Sequence, residues 1–321
     1  MTVGHVTVDV LLADSSRRPG GGAFYSALQA ARLGLRTLIV TQGSPPELER
    51  LLEPYRGELA LRIVPAPAST TLATSWSGAT RTQRVLAWAG PMTETVAVDT
   101  RILHIAPVAR ETSARCFDAH PPHADFVGLT PQGLARAWDV GGAGTVETDA
   151  QQQTGAVETK AGAVEQTGAA QTKAGAVGTG EIVPAPLPTD RGAAEALLPR
   201  GCDAVVISEH ERAACAPLLA AAAARGAVSA ITAGAGATSV ELPDGEVIRV
   251  QAPTVADPSD DLGAGDVFAA TFFVALHEGQ TPALAAAYGN AAAAIRIEGV
   301  GADAIGDRRA IEARLADGRR R

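Results

Sequence analysis

Residues 260–266, Asp260-Asp261-Leu262-Gly263-Ala264-Gly265-Asp266, run directly into Val267-Phe268-Ala269-Ala270-Thr271-Phe272-Phe273-Val274-Ala275-Leu276. Two glycines allow successive backbone N–H groups to turn toward one point, and the apolar run behind them has the character of a helix buried on all sides. A loop that opens such a helix is an anion site, because the first turn offers unpaired N–H groups and a partial positive charge. Asp266 falls in that first turn, where a carboxylate can take a proton from a group beside the bound anion. The combination reads as phosphoryl transfer to a hydroxyl. The competing reading is a glycine-rich turn whose aspartate merely caps a core helix.

The remaining composition narrows the mechanism. With 321 residues and 46% hydrophobic content, the chain can hold one large α/β domain or two smaller ones. Its formal charge of −8 disfavours nucleic acid or an anionic membrane surface as partner. No apolar stretch reaches the roughly 18 residues a membrane span needs, and the first residues lack the order of a signal peptide, so a cytoplasmic location is expected. The only lysines are Lys160 and Lys173, both in a low-complexity stretch. That excludes a P-loop, a protein-kinase lysine and a Schiff base. Phosphate must be held by other groups. Cys116, Cys202 and Cys215 are scattered and read as buried small apolar residues.

Working toward the N-terminus, residues 3–12 alternate and are β-branched, as one strand interrupted by Asp9 would be. Gly20-Gly21-Gly22 then precede a helix closed by Gly34, without the G-x-G-x-x-G of a dinucleotide site. Short apolar segments near 37–41, 61–64, 102–106 and 125–129 predict α/β alternation. Residues 69–75 and 82–88 predict a hairpin. His104 reads as a core residue, and Cys116, His120 and His123 as a poor zinc site because two prolines hold the histidines in an extended loop. Thr130 and Gln132 stand at a strand end, where a crevice could recruit them. Thr154–Gln166 and Thr167–Thr179 are two copies of a 13-residue tandem repeat without aromatics, so 141–181 is expected to be a disordered insertion within one domain.

The 260–266 segment resembles the C-terminal signature of the PfkB, or ribokinase-like, carbohydrate kinases, D-T-x-G-A-G-D. The resemblance implies a three-layer α/β/α fold with a small reduced β lid, formed by segments near 10–20 and 66–90. It implies that Asp266 is the catalytic base and that Gly263, Ala264 and Gly265 form the anion hole. Asp9, Gly20, Gly21 and Tyr25, with Gln132, are the implied substrate contacts. Thr232, Gly234, Asn290 and Asp260 are the implied nucleotide contacts, and Glu211 the group that holds Mg²⁺ through water. ATP and Mg²⁺ are the implied cofactors, with a monovalent cation a further candidate; a small sugar or polyol is the implied partner of a monomer or homodimer. The sequence departs from the family pattern at Asp261 for Thr, Tyr25 for Asn, Ser208 for Asn and Ala237 for Gly. The extra carboxylate of Asp261 should repel a polyphosphate unless a cation intervenes. The short first lid segment, Tyr25 and the Arg84-Val85-Leu86 run look most like the inositol-kinase branch. A nucleoside kinase and a non-catalytic sensor of polyol or nucleotide remain alternatives.

Overall fold

The computed structural model describes residues 1–77, 80–92, 99–112, 123–138 and 180–318. Fifteen strands are present among these residues: β1 Thr2–Val3, β2 Thr7–Leu11, β3 Ser16–Gly20, β4 Thr37–Gly43, β5 Leu59–Pro65, β6 Thr71–Ser77, β7 Thr80–Ala87, β8 Asp99–Ile105, β9 His123–Leu129, β10 Arg136–Trp138, β11 Gly180–Pro184, β12 Cys202–Ser208, β13 Val228–Thr232, β14 Ala237–Glu241 and β15 Val247–Gln251. They form a nine-stranded sheet of order β15-β14-β13-β12-β9-β8-β1-β4-β5 and a six-stranded sheet of order β10-β11-β7-β6-β2-β3. The large sheet is parallel from β13 to β5, with β14 and β15 added antiparallel at one edge.

Helices cover both faces of the large sheet, because successive side chains of its strands point to opposite sides. Val205 and Ile207 of β12 meet Leu218 and Ala222 of α4 (Arg212–Ala224). Ala204 and Val206 meet Phe268 and Phe272 of α5 (Ala264–His277) and Ala286 of α6 (Pro282–Ile297). Phe24 and Leu28 of α1 (Gly22–Arg32) join the same layer. Helix α5 is buried from Val267 to Ala275, as its unbroken apolar run requires. Gly34 and Gly279 close α1 and α5 with φ of 93° and 83°, and Thr281 caps α6 ahead of Pro282.

The expected single strand over 3–12 is corrected by the structure. The chain leaves the large sheet after Val3 and re-enters pairing at Thr7 in the small sheet. At the break the backbone donors go elsewhere: Gly4 N–H to Val40 O, His5 N–H to Glu111 Oε1 at 2.8 Å and Val6 N–H to Thr41 Oγ1 at 2.8 Å. A Cβ at Gly4 would lie 2.3 Å from Ala106 O, so the crossing needs glycine. Asp9 therefore sits in the small sheet, not at a strand end of the large one. The expected hairpin of 69–75 and 82–88 is β6 with β7. The small sheet also holds β10 and β11, paired antiparallel, which the sequence did not single out. Gly180 and Glu181, at the end of the expected insertion, belong to β11; the repeat itself lies outside the described residues.

Candidate active site

A crevice opens where the carboxyl ends of β8 and β9 and the N-termini of α1 and α5 face the small sheet. It is lined by Asp9, Gly21, Gly22, Tyr25, Arg81, Gln132, Arg136, Gly263 and Asp266, among others. Those named come from five separate segments of the chain. Gly263 is the left-handed N-cap of α5 (φ 77°), which aims the following N–H groups outward and sets Asp266 in the first turn. A Cβ on Gly263 would fall 2.3 Å from the Tyr25 ring, so that ring packs flat under the turn. Gly22, at the start of α1, approaches Asp266 so closely that a Cβ there would lie 2.9 Å from Oδ1. On the small sheet, Gly20 faces Asp9, and its Cβ would lie 2.1 Å from Oδ2. Glycine at 20 is the space into which the Asp9 carboxylate fits.

The two carboxylates have unusual environments. Desolvation pushes Asp266 up to about 7, opposed by the charges of Arg136 and Arg81 and reinforced by those of Glu211 and Asp9. Among the described residues no hydrogen bond reaches its carboxylate oxygens. Asp9 is buried and is likewise raised by desolvation, to about 6, against a 2.7 Å hydrogen bond donated by Thr7 Oγ1 to its Oδ1 and the charges of Arg136 and Arg81. Burial, with Asp9 next, pushes the Tyr25 hydroxyl well above the usual phenol range. Arg136 donates from Nη1 to Val108 O at 3.3 Å and Arg81 from Nη1 to Asp261 Oδ2 at 3.3 Å. The crevice thus holds two aspartates and two arginines at the mouth of an anion turn, suited to moving a proton while neutralising phosphate charge.

Other expected site residues are engaged elsewhere. Asp260 accepts from Arg296 Nη2 at 3.0 Å, Gly301 N at 3.0 Å and Leu262 N at 2.9 Å. Burial alone would raise its pKa, but these donors outweigh it and hold the carboxyl below its ordinary value. Arg296 is fully buried and lies 5.6 Å from the Tyr25 ring centre. Asp260 thus anchors the loop from which a nucleotide contact was expected. Asn290, buried on α6, accepts from Thr238 Oγ1 of β14 at 2.8 Å and donates to Val250 O of β15 at 3.2 Å. Thr232 Oγ1 donates to Ile207 O at 3.3 Å, and Gly234 follows in a turn with φ 56°. None of Thr232, Gly234 and Asn290 lines the crevice. Glu211 accepts the Ser208 N–H at 2.9 Å through Oε2, and its charge reaches Arg136 and Asp266.

Sequence reasoning passed over Arg81, Arg136, Gly22 and Glu111. Buried Glu111 accepts from Val108 N at 2.9 Å and Ala109 N at 2.7 Å as well as from His5, fixing the turn after β8 that walls the crevice. The near absence of lysine was the one available signal for the arginines. His104 is buried as expected, bonded to Thr130 Oγ1 at 3.1 Å through Nε2. Cys116 and His120 lie outside the described residues, while His123 pairs with Asp99 at 3.4 Å on the surface.

A family model described as pfkB family carbohydrate kinase matches residues 147–307. No curated protein matches the chain. Among solved structures, a pyrophosphate-dependent kinase of the ribokinase family bound to a pyrophosphate analogue and myo-inositol is similar, with TM-score 0.68 and 16% identity over 97% of this chain and 98% of the other. The Methanocaldococcus jannaschii nucleoside kinase follows with TM-score 0.66 and 14% identity over 98% and 97%. Arabidopsis thaliana ribokinase complexed with ribose and ATP has TM-score 0.61 and 13% identity over 98% and 97%. These similarities are those of a ribokinase-like fold.

Proposed function

The chain belongs to the pfkB family of carbohydrate kinases, and from that premise we propose that it transfers the terminal phosphoryl group of ATP to a hydroxyl of a small sugar or polyol, inositols included. The observation that carries this reading is Asp266: a carboxylate with no internal hydrogen bond among the described residues, poised near neutrality at the mouth of the anion turn. A base with that proton affinity is half-ionised at working pH and accepts a hydroxyl proton as the oxygen attacks phosphorus. Asp9, opposite, accepts from neighbouring hydroxyls of the acceptor, with Gln132 beside it and the Tyr25 ring as an apolar floor. The amides of Gly263, Ala264 and Gly265 meet the developing charge, and Arg81 and Arg136 flank it. Glu211 fits the role of holding Mg²⁺ through water, since only its Oε2 is engaged by Ser208; the ion would supply charge neutralisation between the phosphates. The small sheet acts as the lid of a single domain, and we place the reaction in the cytoplasm.

A second reading concerns the donor. With both polar atoms of Asn290 and the hydroxyl of Thr232 bonded to neighbouring strands, few groups there are free to recognise a base, which favours inorganic pyrophosphate. The resemblance to the pyrophosphate-dependent kinase supports that donor. The test is product formation from ATP or pyrophosphate, each with Mg²⁺, against a panel of inositols, pentoses, hexoses, sugar phosphates and nucleosides. Turnover with one acceptor, lost in Asp266→Asn, supports the reading. Turnover retained in that variant overturns the base assignment, and nucleosides as the acceptors overturn the polyol assignment.

A further inference from the structure

Two consecutive carboxylates open the anion turn, and they are held in opposite ways. Asp260 is tied by Arg296, Gly301 and Leu262, and its side chain is only 10% exposed. The Asp261 side chain is 61% exposed, and its one ion pair among the described residues is with Arg81 of β7, on the small sheet across the crevice. A parallel contact joins Arg18 of β3 to Asp260 at 3.9 Å. The small sheet therefore reaches the anion turn with an arginine from each of two strands, and only the Arg81 contact ends on a carboxylate with no other partner among the described residues.

We propose that Asp261 is a positioning residue that stores Arg81 beside the Gly263–Gly265 turn while the crevice is empty and releases it to the phosphate oxygens of the donor. The inference rests on the reading of this crevice as a phosphoryl-transfer site. Three observations carry it. Arg81 lines the same crevice as Gly263 and Asp266, so the guanidinium is already at the turn where an anion would lie. The pair is solvent-exposed, of the kind worth little, so it yields readily to a competing anion. A polyphosphate presents more charge and bidentate oxygens in a geometry that matches a guanidinium.

The departure at 261 thus places a carboxylate that pairs with Arg81 in the empty crevice and loses that partner when a polyphosphate arrives. Donor binding leaves Asp261 exposed to water, where a lone carboxylate is well solvated. Asp261 thereby sets donor affinity by competing for Arg81; direct repulsion would act with or without Arg81, and the two effects are separable.

The experiment is calorimetric titration of imidodiphosphate, a non-hydrolysable diphosphate, into the full-length protein and into Asp261→Asn, Arg81→Gln and the double variant, each first verified as folded by circular dichroism. Freed of its partner, Arg81 should bind the anion about threefold more tightly in Asp261→Asn, the scale of an exposed ion pair. Arg81→Gln should weaken binding, and adding Asp261→Asn to it should recover almost nothing. An equal gain from Asp261→Asn in both backgrounds would reduce the residue to plain repulsion and overturn the exchange, as would no gain in either. Absence of anion binding in all four proteins overturns it as well. Because binding is read without turnover, the predicted affinity pattern alongside an inert acceptor panel would sink the kinase reading while the exchange stands, and additive variants in an active kinase would do the reverse.

Discussion

The crevice at the ends of β8 and β9 and the region around Thr232 and Asn290 were expected to share one task, and their polar groups stand in opposite states. In the crevice, no hydrogen bond reaches the Asp266 carboxylate among the described residues, and Asp9 receives one, from Thr7. Both side-chain polar atoms of Asn290 have an internal partner, in β14 and β15, and the Thr232 hydroxyl has one in β12. A buried polar group without a partner is costly, so it persists where a ligand completes it; a fully bonded one is part of the frame. We read the difference as one between groups available to a ligand and groups that hold the fold.

The strongest challenge to that division is Asp266→Asn. Loss of the base should lower kcat by about 10²- to 10⁴-fold, with imidodiphosphate affinity kept within about twofold; steady-state kinetics and calorimetry read the two together. Comparable losses in both would assign Asp266 to the frame. The pH profile is the next test. With a carboxyl raised to about 7 that must be ionised to act, kcat/KM should rise about tenfold per unit below pH 7 and level off above it. The same raised pKa has a stability sign. Ionising Asp266 in its desolvated setting costs the unliganded protein stability as pH rises through about 7, and below its ordinary value of 3.8 both states are protonated and the cost vanishes. Asp266→Asn should therefore melt higher than the parent at pH 8, by about 3 °C or more, and equal it near pH 3.5.

Gly20→Ala sharpens the crevice side at smaller cost. Its Cβ would fall 2.1 Å from Asp9 Oδ2, so the carboxylate must move; KM for the acceptor should rise about tenfold while donor KM stays. An unchanged acceptor KM would detach Asp9 from substrate. The smallest kinetic effect belongs to the other side. Asn290→Ala leaves the Thr238 hydroxyl and Val250 carbonyl without their partner and should destabilise by about 1–3 kcal/mol, seen in denaturant melts, with kinetic constants within about twofold. A tenfold rise in the KM for ATP alone would return Asn290 to the donor site and break the comparison.

Much of the fold was readable from local pattern. The apolar run after Gly263, the cap at Gly34, and the positions of β4, β5, β8 and β9 all follow from backbone preferences and periodicity within a few residues. Asp266, the anion turn and the implied contacts Asp9, Gly21, Tyr25 and Gln132 were named in advance and line one crevice. The break between β1 and β2 was not readable, since its cause is the capture of three backbone donors by Val40, Thr41 and Glu111, distant in sequence. Arg81 and Arg136 escaped notice because nothing in their neighbourhoods distinguishes them from solvated arginines.

Chemistry that depends on short-range order, such as glycines at positive φ, a carboxylate in a helix's first turn and an alternation of strands and helices, was written in the chain and legible without coordinates. Which of the polar residues remain available was settled by long-range packing. Asp260 and Asp261 are adjacent and chemically identical, yet buried Arg296 makes the first an anchor and Arg81 across the crevice leaves the second exchangeable. Hydrogen-bond capacity is filled by whichever partners the fold brings near, and sequence spacing does not record that proximity.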